Sequence, residues 1–246
     1  MIYLAAALYS LVIWWTSTGA VIVLYRLPRR TYPLSFTALT LVAAGCIWGT
    51  WATRGDTSLP GAYAAFSCGT LLWGWQLAGF FYGYITGPHH APGSAPPRGV
   101  GRFIAAVRSS LYHELLAVGG GALLLAIVWG HPNQTSFHVY VLLWALHAAA
   151  KLNIFAGARN FNIELLPDHL RFLGEFFRER RMNTIFPATA TATIALAALL
   201  AEAALRPAAT PYAAATLTLM ALMALLGLLE IWLLMLPAAG ETWGER

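Results

Sequence analysis

"FHVYVLLWALHAAAKLNIFAG", residues 137–157, is long enough to cross a bilayer and carries a single charge, Lys151. A spanning helix needs about 20 predominantly apolar residues. Eight of the nine residues from Leu142 to Ala150 are Leu, Trp or Ala, and the ninth is His147. Lys151 is the only lysine in the chain, against fourteen arginines. Charged groups inside a bilayer usually face the bundle interior or a cavity, so the expectation for this lysine is a carboxylate partner; the alternative is a side chain that snorkels to the headgroups.

The rest of the chain extends the same pattern. Hydrophobic residues make up 59% and charged residues 10%, where soluble domains carry about 25% charged residues. The expected fold is all-α: a polytopic bundle forming a single transmembrane domain over residues 1–246. Seven stretches read as spans, at about 2–24, 34–53, 61–85, 104–129, 137–157, 184–205 and 212–236. Breaks such as "YRLPRRTYP", "RGDTSLP" and "RPAATP" separate them with turn residues. The first run, "MIYLAAALYSLVIWW", has no basic n-region and reads as a span rather than a cleaved signal. Cys46 and Cys68 fall within spans, so no disulfide framework is expected.

Arginine placement sets the orientation. The first, third and fifth connections hold Arg26, Arg29, Arg30, Arg98, Arg102, Arg159, Arg171, Arg178, Arg180 and Arg181, whereas the even ones hold only Arg54 and Arg206. The positive-inside rule puts the odd connections in the cytoplasm, the N-terminus outside and the C-terminus inside. The net charge of +5 is therefore a topology signal, and no nucleic-acid partner is implied. In the fifth connection, Leu170, Leu173, Phe176 and Phe177 oppose Arg171, Glu175, Arg178 and Glu179. This predicts an amphipathic helix over 160–182 at the cytoplasmic surface, beginning near Pro167. His89 and His90, adjacent in the third connection, read as solvated side chains.

Depth relates the intramembrane charges. Lys151 lies six residues before Gly157, Glu230 six before Leu236, and Glu114 six beyond Arg108. At about 1.5 Å per residue, each sits roughly 9 Å inside the cytoplasmic boundary. The expectation is one polar layer of Glu114, Lys151 and Glu230, with His113, His147, Asn153 and Gln76 nearby and Tyr82 at a neighbouring depth. Glu202, four residues before Arg206, reads as a surface pair. His113 and His147 are candidate axial ligands for a pigment metal, because a neutral imidazole in a dry span suits that role. The bland alternative for each is an interhelical hydrogen bond. No HExxH or paired ExxH pattern is present, and no metal site is assigned.

The stretch 151–187 also carries a resemblance. K-L-N at 151–153, R-N at 159–160, "ELLPDHL" at 164–170, "FF" at 176–177, and M-N with F-P at 182–187 resemble the PuhE-type photosynthetic complex assembly proteins of anoxygenic phototrophic bacteria. "YHEL" at 112–115 is similar to that family as well. The resemblance implies a multi-pass protein of the bacterial inner membrane, cytoplasmic or intracytoplasmic. It implies a role in assembling the reaction centre and core antenna, with those subunits and bacteriochlorophyll as partners. It directs attention to Lys151, Asn153, Arg159, Asn160, Glu164 and His169. The competing expectation is a membrane enzyme of tetrapyrrole or carotenoid modification, with a metal or proton-relay site at His113, Glu114 and His147. A transporter is disfavoured by the odd span count and the lack of an inverted repeat.

Overall fold

A computed structural model describes residues 1–88, 99–161, 163 and 166–236. Among these residues there are eight α-helices: α1 (Ile2–Arg26), α2 (Tyr32–Thr53), α3 (Leu59–Phe81), α4 (Val100–Ser109), α5 (Leu111–Val128), α6 (Thr135–Gly157), α7 (Phe186–Leu205) and α8 (Pro211–Met235). No strand occurs among the described residues. Proline at the first turn of α2, α3, α7 and α8 starts those helices where a missing N–H costs nothing. Ser58 and Thr210 cap α3 and α8 through side-chain oxygens.

Among the described residues, six helical segments are long and apolar enough to cross a membrane: Ile2–Arg26, Arg29–Thr53, Leu111–Val128, Thr135–Gly157, Phe186–Leu205 and Pro211–Met235. Large apolar side chains on their outer faces, among them Leu4, Trp15, Leu41, Trp48 and Leu199, are more than half exposed. Such a surface is stable where hydrocarbon is the solvent, and the chain is a multi-pass membrane protein. The remaining expected span, 61–85, corresponds to α3, which has no charged residue but is diluted in hydropathy by Gly, Trp and Gln76. Its position accounts for that composition, because α3 packs against α1, α2, α5, α6 and α8. A central helix is selected for close approach rather than lipid solubility. At Gly69 a Cβ would collide with the Ser136 carbonyl and the Val139 side chain, so α3 and α6 cross there nearly backbone to backbone.

Two expectations need correction. The run 104–129 is not one helix, because the chain breaks at Ser109–Ser110 and α4 leaves the line of α5. Arg102 and Arg108 give α4 a polar side, and Arg102 reaches the carbonyls of Phe155 (3.0 Å) and Phe176 (3.3 Å). The helix expected over 160–182 is instead a 3-10 helix, Asp168–Phe176, with extended backbone at Phe177. Leu170, Leu173 and Phe176 are its buried residues. Their spacing of three matches the three-residue turn of a 3-10 helix.

Candidate functional site

The break at Ser110 creates the site. With α4 turned aside, the first turn of α5 has no preceding helical turn to accept its N–H groups. The Thr86 carbonyl takes two of them, from Tyr112 (2.8 Å) and His113 (3.3 Å). Glu114 occupies the same first turn, where the helix dipole favours a carboxylate.

Facing it, α6 presents Trp144, His147 and Lys151 on one stripe, at spacings of three and four. Lys151 forms an ion pair with Glu114 Oε1, and Trp144 Nε1 donates to Oε2 at 3.0 Å. Lys151 also donates to Ser110 Oγ at 3.4 Å. Both carboxylate oxygens are thus engaged, and the side chains remain 32% and 25% exposed. A fully buried pair would carry a larger desolvation cost.

The structure joins only part of the expected layer. Glu230 is exposed on α8 and forms no ion pair among the described residues. Its neighbours Leu226, Gly227, Ile231 and Met235 face inward. Depth counts the rise of a helix but not its rotation, and at 3.6 residues per turn Glu230 points away from Ile231. Gln76 is buried and donates to the His113 carbonyl at 3.0 Å, while accepting from Tyr140. It supports α5 without touching Lys151.

Asn153 lies on another side of α6, donating to Thr189 Oγ1 (2.9 Å) and accepting from Asn183 (3.2 Å). Tyr82 hydrogen-bonds Ser35 at 2.8 Å and stacks on Tyr32. Glu202 pairs with Arg206 at 3.1 Å on the surface.

His113 and His147 do meet, with ring centroids 5.6 Å apart and Trp73 within 6 Å of each. His113 is fully buried, and neither ring nitrogen has a hydrogen-bond partner among the described residues. A buried polar atom left unpaired costs about 1–3 kcal/mol. Among the described residues no three of His, Cys, Asp and Glu gather as a metal-ligand set. Cys46 and Cys68 are free thiols.

Beside the ion pair lies a cavity of about 400 Å³. Its polar lining is Ser109, Ser110, Glu114, His147 and Lys151; half of the other lining residues are phenylalanines, on α3, α4 and α6, at Phe161 and at Phe176 and Phe177. His147 lines it and His113 does not. A separate, wider hollow of about 650 Å³ runs between Tyr25–Arg29 and Leu166–His169, away from the pair.

The motif residues after α6 act mostly as ties. The N–H groups of Arg159 and Asn160 both donate to the Leu234 carbonyl at 3.0 Å, and Asn160 Nδ2 donates to Leu233 at 3.2 Å. They satisfy carbonyls that the end of α8 would otherwise leave open. Gly157 permits the exit from α6 through a positive φ of 132°. His169 Nδ1 accepts from Arg29 at 2.9 Å, and Nε2 donates to the Phe81 carbonyl at 2.9 Å. Burial, and then the Arg29 guanidinium, hold this imidazole below its ordinary pKa. Glu164, His89 and His90 lie outside the described residues.

Several contributors escaped the sequence reading. Trp144 could have been found, being on the same helical stripe as His147 and Lys151. Asn183 stands three residues before the first residue of α7 and receives the N–H groups of Ile185 (2.9 Å) and Phe186 (2.8 Å), a capping role that the following Thr and Phe-Pro signal. The cavity phenylalanines come from separated segments, and no local pattern links them.

The chain is similar in sequence to a somewhat longer protein. The chain is 31% identical over 249 residues to an uncharacterized 30.4 kDa protein in the puhA 5′ region of Rhodobacter capsulatus, covering 96% of this chain and 89% of that protein. No solved structure matches. A family model described as a protein of unknown function (DUF3623) matches residues 1–244, and the chain belongs to that family.

Proposed function

We propose that this protein is an integral membrane assembly factor for bacterial photosynthetic complexes, the reaction centre and its core antenna, and that it holds or hands over bacteriochlorophyll. The supporting observation is the full-length similarity to a protein encoded in the puhA 5′ region, together with the PuhE-type motifs at 112–115 and 151–187. In this reading α3 is the seventh span and the arginine-rich end of the bundle faces the cytoplasm. The aromatic cavity is then at the cytoplasmic level of the inner membrane, open to partner subunits and pigment.

Deletion of the gene in a phototrophic host tests the role. The expected result is a loss of assembled reaction centre and core antenna, restored by the gene in trans. Tagged protein purified in mild detergent should carry pigment or complex subunits; normal complexes in the deletion strain would overturn the reading. The competing membrane enzyme needs Glu114 free for a metal or proton relay, but Lys151 and Trp144 hold both of its oxygens.

A further inference from the structure

The cavity combines three kinds of contact. Its walls include Phe81, Phe103, Phe155, Phe161, Phe176 and Phe177. Lys151 lines it with an ammonium that has three protons, of which Glu114 and Ser110 occupy two. His147 lines it one helical turn away, and its ring packs against Trp73 at 5.5 Å and His113 at 5.6 Å, with no hydrogen bond among the described residues.

An acyl chain would use the walls but leave the imidazole and the third ammonium proton unpartnered. A small anion would use Lys151 and waste the walls. A metal ion alone would find one imidazole and no further free ligand. A planar macrocycle that carries a Lewis-acidic metal and a carboxyl or carbonyl at its edge satisfies all three.

We propose that this cavity binds a metallotetrapyrrole, with His147 as the axial ligand of the metal and Lys151 as the donor to an oxygen on the ring periphery. The inference rests on the pigment-handling reading above and deepens it. It also divides the two histidines. His147 ligates, whereas His113 packs behind it, enclosed by Trp73 and Phe80. Ser110 and Glu114 hold Lys151 at the cavity, so the helix break that frees the first turn of α5 is what assembles the polar side.

The test uses the full chain purified in mild detergent and titrated with zinc protoporphyrin IX, metal-free protoporphyrin IX and the zinc dimethyl ester. The zinc compound should bind with the Soret shift of one axial imidazole, and the metal-free ring about tenfold or more weaker. His147→Ala should abolish the shift, and added imidazole should restore it. His113→Phe should keep the shift. If His147→Ala does not accumulate, His147→Gln replaces it.

The wild-type protein should prefer the acid to the ester, and the double variant Lys151→Met with Glu114→Gln should lose that preference. A shift that survives in His147→Ala or His147→Gln, equal binding of zinc and metal-free rings, or no binding of any probe overturns the site. These readouts are spectroscopic and independent of the host. Their failure leaves the assembly role standing, whereas normal complexes in a deletion strain defeat that role whatever the spectra show.

Discussion

At the scale of single residues, the chain's one lysine is explained by its surroundings. A cation in a span is tolerated where a carboxylate shares its layer, and Glu114 shares it in both depth and direction. Lys151→Met should therefore lower stability by about 2 kcal/mol, less than a wholly buried pair would lose because both side chains are partly exposed. Combining it with Glu114→Gln should recover most of that loss, since no orphaned charge remains. Thermal unfolding in detergent and steady-state level in the membrane both read this cycle. A double variant no more stable than Lys151→Met would rule the coupling out. Glu230→Leu, by contrast, should change stability little, because Glu230 touches neither partner. Sequence depth identified Glu114 and Glu230 alike; only the azimuth of α8 separates them.

At the scale of elements, side chains from loops lock the helix ends. Asn133 is buried between the α2–α3 connection and α8, donating to the Thr53, Asp56 and Gly61 carbonyls at 2.9–3.1 Å and accepting from Tyr212 at 2.9 Å. Asn133→Ala should cost about 2–3 kcal/mol, because several buried groups lose partners together; an unchanged unfolding temperature would show that water replaces them.

At the other end His169 ties the 3-10 helix to Arg29 and to the end of α3. Its folded pKa is lowered, by burial first and then by Arg29, while the bond to the Phe81 carbonyl and then Asp168, itself paired to Arg171 at 3.0 Å, oppose the shift. The unfolded chain then binds the proton more readily. The Arg29 half of the tie is complete above the unfolded value of about 6.5 and is lost as the pH falls through the folded one, when Nδ1 gains a proton; Nε2 keeps its bond to Phe81. Hydrogen exchange at the Leu170 and Phe177 amides should accelerate below about pH 6.5, beyond the intrinsic pH effect, and His169→Gln should remove that step. Alternating polarity in 160–182 revealed an amphipathic segment. The period of three, which makes it a 3-10 helix, was present in Leu170, Leu173 and Phe176 but was outweighed by the adjacent Phe177.

At the scale of the whole molecule, orientation follows from charge. A phosphatase fused after Asp56 or Arg206 should be active, and one fused after Arg30 or Arg181 inactive; the reverse pattern would invert the topology. The same experiment decides whether α3 crosses the bilayer, since without it the fusions after Asp56 and within 99–109 would report the same side.

The sequence alone determined the class of fold, the ends of most helices and the lysine's need for a partner, because hydropathy, proline placement and charge act locally along the chain. Tertiary structure decided which glutamate answers Lys151, which histidine reaches the cavity, and that α3 is the central helix. Those outcomes depend on helix rotation and on contacts between residues far apart in sequence, as with Phe81, Phe103, Phe155 and Phe176, which meet only once α3, α4, α6 and the 3-10 helix have packed.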